Sequence, residues 1–167
     1  MKDLSHKFGG LVFDRYATVP YYSNAEFSSH DVLEFLLSVT GPASVRISSF
    51  SLSEVSLRSF VRLLDGGLIR DLRCLLDLSV KRHRLGLLFF AANIQSNVAL
   101  AKNHAKIILI ENDRYAWVVV GSANLNQNDK IEAGVASGSP EIFSYFSDAF
   151  NQSYEQGLKV TADEFNR

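Results

Sequence analysis

The chain has 167 residues, of which 47% are hydrophobic, and this length and apolar content predict a single domain with its own core. The formal net charge of −1 argues against strong binding of nucleic acid through overall charge. The single cysteine, Cys74, cannot form a disulfide within the chain, and neither a signal peptide nor a membrane span is evident. We therefore expect a cytoplasmic protein without a membrane partner.

Basic and acidic residues are unevenly distributed along the chain. Residues 44–106 contain ten Lys and Arg against four Asp and Glu, whereas residues 107–167 contain four against nine. A basic cluster of this kind is compatible with contacts to a phosphate backbone, and equally with ordinary exposed faces of helices and strands. It includes Arg58, Arg62, Arg70, Arg73 and the run 81–84.

The N-terminal half alternates between polar start signals and apolar runs. Residues 1–27 hold aromatic side chains, Pro20 and few periodic apolar positions, so we expect irregular structure or short strands there. The pattern then predicts a helix from a cap at 28–31 to Gly41-Pro42, a strand at 45–50, a helix with a capping box at 51–54, and a strand at 69–78.

The C-terminal half continues this alternation. It predicts a helix around 82–93, a strand at 98–101, a hairpin between 104 and 120, a strand at 132–136, and a helix from Ser139-Pro140. The apolar face of this last helix is expected to hold Ile142, Phe146, Ala149 and Phe150, and residues from about 157 to 167 are expected to fray. Alternating strands and helices indicate an α/β layered fold, a mixed β-sheet flanked by helices, over residues 1–167.

The most informative polar residues lie around the predicted hairpin. His104 and Lys106 stand two apart at the start of its first strand, and Ser122 and Asn124 stand two apart after its second strand. Residues two apart in extended chain share a face, and an antiparallel hairpin brings both pairs to the same end. Imidazole, ammonium, hydroxyl and amide groups can together bind a phosphate and attack it. Gly121 leaves room for a ligand to approach.

His-x-Lys followed by Gly-Ser-x-Asn resembles the signature of the phospholipase D superfamily. The resemblance centres on residues 97–136 and extends over about 43–155. In that superfamily the histidine is the nucleophile, and the lysine, serine and asparagine bind phosphate. The resemblance therefore implies a nucleophilic role for His104 and phosphate-binding roles for Lys106, Ser122 and Asn124.

Further residues follow from the same resemblance. Glu132 matches a downstream glutamate that often hydrogen-bonds the histidine in that superfamily. Glu111 stands where the superfamily usually has an aspartate, which leaves its role in doubt. The chain carries one copy of the motif, whereas large members build one site from two copies. This implies a homodimer in which each protomer contributes a His104 to a shared site.

The function that these residues imply is a metal-independent phosphodiesterase without a cofactor, nuclease-like and acting through a phosphohistidine on DNA or RNA. Neither His30 nor His83 belongs to a metal-ligand pattern, and His30 is expected at the surface. A non-catalytic module of the same superfamily, binding nucleic acid or a protein, remains an alternative. Lipid phosphodiester hydrolysis is a third, although no basic amphipathic membrane helix is evident.

Overall fold

The computed structural model describes residues 1–83, 86, 88, 91, 97–126 and 130–160. Helices and strands alternate along these residues, which confirms the predicted α/β class. In chain order they are α1 (Ser5–Phe13), β1 (Thr18–Asn24), α2 (Ser29–Thr40), β2 (Ala43–Ser49), α3 (Glu54–Asp65), β3 (Ile69–Asp77), α4 (Ser79–His83), β4 (Val98–Ala101), β5 (Ile107–Glu111), β6 (Ala116–Gly121), β7 (Ile131–Ser137), α5 (Pro140–Gln156) and β8 (Leu158–Val160).

The strands of the described residues form one mixed sheet in the order β1-β7-β6-β5-β2-β3-β4-β8. Strands β2, β3 and β4 are parallel, and the remaining neighbours pair antiparallel. Strand β2 lies in the middle and is buried along most of its length, as expected for a parallel strand covered on both faces. The carboxyl ends of β2 to β4, the start of β5 and the end of β6 meet at one end, called here the site end of the sheet.

Helices cover both faces of the sheet, as predicted. One large core cluster joins α1, α2 and α3 to one face, with Phe8, Leu33 and Phe60 buried in it. On the other face α5 packs on β3 to β6 and forms a smaller cluster with aromatic side chains such as Phe143 and Phe150. No helix of the described residues is long and apolar enough to cross a membrane.

Helix α1 corrects the expectation of irregular structure in residues 1–27. Phe8 and Leu11 lie three residues apart, share one helical face and are fully buried. Gly9 and Gly10 lower the helix propensity of this segment, so its pattern is weak, but burial of the two large side chains outweighs that cost. Strand β1 agrees with the short strands expected in the same segment.

The expectation of a frayed tail is also corrected. Residues Leu158–Val160 form β8, which pairs antiparallel with β4 and places Val160 opposite Val98. Three residues are too few to show the alternating pattern of a strand in the sequence, and this segment is ordered by its pairing with β4. Residues 161–167 lie outside the described part of the chain, as does most of the helix expected at 82–93.

Two helix details differ from the sequence prediction. Helix α3 begins after Ser53, whose hydroxyl accepts a hydrogen bond from the Ser56 amide, so the capping box expected at 51–54 does not form. In α5 the buried residues are Phe143, Phe150 and Tyr154, while Ile142 is exposed. The larger aromatic side chains set the buried face, and they lie seven and four residues apart, as a helical stripe requires.

Candidate active site

The β5–β6 hairpin brings both halves of the sequence motif to the site end of the sheet. Ile107 pairs with Val120, and one step beyond that pair the Gly121 amide donates to the Lys106 carbonyl at 3.2 Å. His104 and Lys106 therefore lie immediately before β5, and Ser122 immediately after β6. The hairpin thus brings His104, Lys106 and Ser122 to one cleft, which Asn124 does not line. His104 lies in an irregular loop ahead of the strand.

His104 and Lys106 contact each other directly. The Lys106 Nζ atom lies 3.1 Å from His104 Nδ1 and donates to the His104 carbonyl at 2.6 Å. The Phe50 ring lies beside both, with its centroid 5.0 Å from that of the imidazole and 5.7 Å from Lys106 Nζ. The imidazole is nevertheless exposed, so a substrate can reach it.

Ser122 and Glu132 form the second contact of the site. The Ser122 hydroxyl donates to Glu132 Oε2 in a short hydrogen bond and accepts from the Ala133 amide at 3.0 Å. Strand β7 supplies both partners, because Gly121 pairs with Gly134 and the chains continue side by side. Whether the Glu132 carboxylate also orients His104 stays a prediction.

Buried and charged neighbours shift the titration of groups around these residues. Burial lowers the pKa of Lys106, and the charge of Glu132 opposes that shift. Burial raises the pKa of Tyr21 to about 12, and Glu132 adds to the shift. Tyr21 therefore stays neutral, and Lys106 and Glu132 provide opposite charges on either side of the hairpin end.

Asn124 lies in the loop that follows β6, and other elements hold its backbone. Ser29, at the start of α2, donates to the Asn124 carbonyl at 3.1 Å, and the Leu125 amide donates to Ser49 Oγ at 3.2 Å. The side-chain Oδ1 of Asn124 is buried and has no hydrogen-bond partner in the described part of the chain. The amide is thus held near the site with unused hydrogen-bonding capacity.

A cleft of about 380 Å³ joins these groups to α5. His104, Lys106 and Ser122 line it, together with the apolar side chains of Val120 and Phe146. Among the described residues no group of three or more His, Cys, Asp and Glu is placed to hold a metal ion. The cleft therefore combines an imidazole, an ammonium and a hydroxyl group at an apolar wall.

Two sequence interpretations change with the structure. Glu111 lies at the end of β5 away from Lys106, and its carboxylate accepts from Arg46 Nη2 at 2.8 Å. Arg46 is only 8% exposed and also donates to Ser147 of α5 at 2.8 Å, so this pair fastens α5 to the sheet. Gly121 also makes room for Tyr21, because a Cβ there would clash with the Tyr21 hydroxyl, and Gly121 lines the cleft as well.

Described members of the predicted basic cluster lie on different elements, and Arg84 lies outside the described residues. Arg58 and Arg62 lie on α3 and pair with glutamates, and Arg73 pairs with an aspartate on β3. Lys102 and Lys106 lie at the site end, on either side of His104 in the chain. The half-buried His30 also differs from the expected surface residue, since it contacts Ser28 and Ser56 at 2.9 and 3.3 Å.

Phe50, Tyr21 and Asn103 contribute to the site but were not identified from the sequence. Phe50 and Tyr21 lie far from the motif in the chain, so no spacing relative to His104 could identify them. Asn103 directly precedes His104, and the only sequence feature that could have pointed to it is its polar side chain just after the predicted strand at 98–101.

The fold of this chain is similar to that of several solved structures. The sequence matches no protein-family model, and it matches no curated protein. The structure is similar to that of Nuc, a phospholipase D family member from Salmonella typhimurium, with a TM-score of 0.64 and 21% identity over 87% of this chain and 98% of Nuc. NucT from Helicobacter pylori gives a TM-score of 0.64 and 18% identity over 86% of this chain and 100% of NucT.

A third similar structure carries the fold as part of a longer chain. TrmBL2, an archaeal chromatin protein, gives a TM-score of 0.54 and 14% identity over 84% of this chain and 54% of TrmBL2. The fold that the sequence motif implied is therefore confirmed, and the chain has the fold of the phospholipase D superfamily.

Proposed function

We propose that this protein is a metal-independent phosphodiesterase of the phospholipase D type, nuclease-like, which acts through a phosphohistidine at a site shared by two protomers. The observation that carries the proposal is the exposed His104 imidazole, 3.1 Å from the Lys106 ammonium and in one cleft with Ser122. Nuc is named as a phospholipase D family member and has the same fold over nearly its whole length, which supports this reaction class.

The chemistry follows from the groups at the site. An imidazole nitrogen of His104 attacks phosphorus, a P–N bond forms, and the P–O bond to the leaving group breaks. Lys106 and Ser122 stabilise the charge on the non-bridging oxygens, where an ammonium and a hydroxyl are most effective. A second imidazole gives its proton to the leaving oxygen, then takes a proton from the water that hydrolyses the P–N bond.

The second imidazole is assigned to His104 of the partner subunit. His6 lies on α1, and His30 lies on α2, where it contacts Ser56 of α3, so neither contacts the site. The side chain of His83 lies outside the described part of the chain. A two-fold dimer supplies the missing group without a second motif.

An uncovered part of the sheet supports this dimer. Tyr22, Ile131 and Val135 are exposed, and alternation along their strands places them on the face that α5 covers elsewhere. Val135 pairs with Val120, which lines the site cleft, so the uncovered apolar face adjoins the site. A second copy with the same face would bury this surface and bring the two clefts together.

A non-catalytic nucleic-acid-binding module is the second candidate. It is supported by the similarity to TrmBL2, which is described as showing a novel mode of DNA binding. The two candidates differ in whether the protein hydrolyses a phosphodiester.

Turnover of bis(p-nitrophenyl) phosphate by the wild type and by His104→Ala tests the proposal. We expect the variant to lose more than about 1,000-fold in activity, because the nucleophile is removed. His6→Ala serves as the matched control, since His6 is exposed on α1, and should keep wild-type activity. Rapid quenching and mass spectrometry should find a p-nitrophenylphosphoryl group on His104. Full activity of His104→Ala would overturn the mechanism. Absence of wild-type turnover would favour the binding module.

A further inference from the structure

The loop that carries His104 has no secondary structure of its own, yet it is firmly attached to the sheet. Residues 103–106 belong to neither helix nor strand, and His104 itself is exposed. The residue before it, Asn103, is buried with only 8% of its surface exposed. A buried polar side chain at this position must satisfy its hydrogen bonds within the protein, which ties the loop to its partners.

Asn103 makes hydrogen bonds to two strands of the sheet. Its Nδ2 donates to the Leu75 carbonyl of β3 at 3.0 Å, and to Ser48 Oγ and the Ser49 carbonyl of β2 at 3.0 and 3.3 Å. The same side chain therefore spans the carboxyl ends of two parallel strands.

The remaining atoms of Asn103 hold the loop on both sides of His104. Its Oδ1 accepts from the Ala105 amide at 3.0 Å, which forms a tight turn with His104 at its centre. Its own amide donates to Asp77 Oδ2 at the end of β3 at 2.9 Å. The backbone of His104 is thus fixed by bonds to the residues immediately before and after it.

We propose that Asn103 is a positioning residue, which sets the direction of the His104 imidazole for attack on phosphorus. This inference rests on the proposed function and adds a residue to it. Asn103 touches neither substrate nor reacting atoms and acts through His104. Because catalysis by a bound nucleophile depends on its alignment to within a fraction of an ångström, loss of the anchor lowers turnover more than binding.

The same network joins the two halves of the site. Ser48 and Ser49 hold Asn103, and Ser49 Oγ also accepts from the Leu125 amide in the loop that carries Asn124. The carboxyl end of β2 is therefore a common support for the nucleophile and for the phosphate-binding loop.

The test compares Asn103→Ala with the wild type and with Asn97→Ala. Asn97 Nδ2 donates to Asp71 at 3.2 Å near the opposite end of β3 and β4, so Asn97→Ala loses a comparable side chain away from the site. We expect kcat of Asn103→Ala to fall by about 10- to 100-fold with KM changed less than about threefold. Asn97→Ala should keep the wild-type kcat.

Nuclear magnetic resonance of the His104 imidazole gives a measurement that does not need turnover. In Asn103→Ala the imidazole resonances should shift, whereas in Asn97→Ala they should match the wild type. If Asn103→Ala does not fold, Ser48→Ala removes one partner of the same side chain and should give a smaller loss of kcat with the same resonance shift.

The outcomes separate the inference from the proposed function. The inference would be overturned if a folded Asn103→Ala kept the wild-type kcat and unchanged His104 resonances. If Asn103→Ala is unfolded, the same result in Ser48→Ala would overturn it. Neither result would contradict the proposed phosphodiesterase activity. A wild type without turnover would overturn the proposed function, and the resonance shift would still decide whether Asn103 positions His104.

Discussion

In the proposed reaction Lys106 supplies the fixed positive charge that metal-dependent phosphodiesterases obtain from a metal ion. Its ammonium contacts His104 at 3.1 Å, and burial lowers its pKa while Glu132 opposes that change. In the proposed mechanism this ammonium lies beside the imidazole that attacks phosphorus.

Turnover should be insensitive to EDTA, since the site supplies its own cation. We expect the rate with bis(p-nitrophenyl) phosphate to be unchanged after dialysis against EDTA, and Lys106→Ala to cost about 2 to 4 kcal/mol of transition-state stabilisation. A metal-dependent nuclease treated in parallel should lose its activity. Restoration of turnover only by an added divalent ion would contradict the assignment of Lys106.

At this scale the sequence pointed to the polar residues that line the cleft but not to the residues that hold them. His104, Lys106 and Ser122 were recognisable because their spacing matches a motif, and the hairpin brings them together. Asn103 and Tyr21 act through burial and through contacts made across the sheet. Such contacts depend on register between strands distant in sequence, so one chain without its fold does not show them.

Among the elements, the hairpin and α2 were predicted most accurately. Helix α2 begins at the cap expected at 28–31, and this cap is a full capping box, in which Ser28 and Asp31 exchange hydrogen bonds. Helix α1 and strand β8 were missed because their order comes from tertiary pairing and burial. In α3 the sequence offered Ser51 and Ser53 as caps. The structure has Ser53, whose amide donates a hydrogen bond to the Leu125 carbonyl.

The start of α2 should make stability depend on pH. Burial lowers the pKa of His30 below its ordinary value of 6.5; Asp31 and Glu34 act to raise it, and Lys2 and Arg62 to lower it. The unfolded chain therefore binds a proton more readily than the folded protein. The stabilisation from neutral His30 is present above about pH 6.5 and is lost as the pH falls below that value.

Urea unfolding between pH 5 and 8 measures this dependence. We expect the free energy of unfolding of the wild type to fall with pH below about 6.5, and His30→Gln to show a smaller slope. His6→Gln is the control, because His6 lies exposed on α1 and should leave the slope unchanged. Equal slopes for His30→Gln and the wild type would show that His30 does not contribute.

Within the described part of the chain, one region of the sheet lies uncovered beside the site. Helix α5 packs on β3 to β6, while the same face of β7 and β1 exposes Tyr22, Ile131 and Val135. Exposed contiguous apolar surface commonly marks an interaction site. The proposed dimer would use this face and place the partner's His104 near the cleft.

Tyr22→Asp combined with Ile131→Asp tests the face. We expect this variant to be monomeric by light scattering and to lose most turnover, because a buried charge at a two-fold interface meets its own copy. Phe13→Asp is the matched control, since Phe13 is 93% exposed on α1, whose helix packs on the opposite face. A dimer that survives both changes would show that this face is not the interface.

Mixed dimers test the shared site itself. A dimer of one wild-type protomer and one His104→Ala protomer, isolated through different affinity tags, should lose nearly all turnover. The reason is that each reaction needs one imidazole as nucleophile and a second as general acid. Independent sites would instead leave the mixed dimer with half the activity of the wild type. A wild-type protein that is monomeric and fully active would require the second proton donor to come from within one chain.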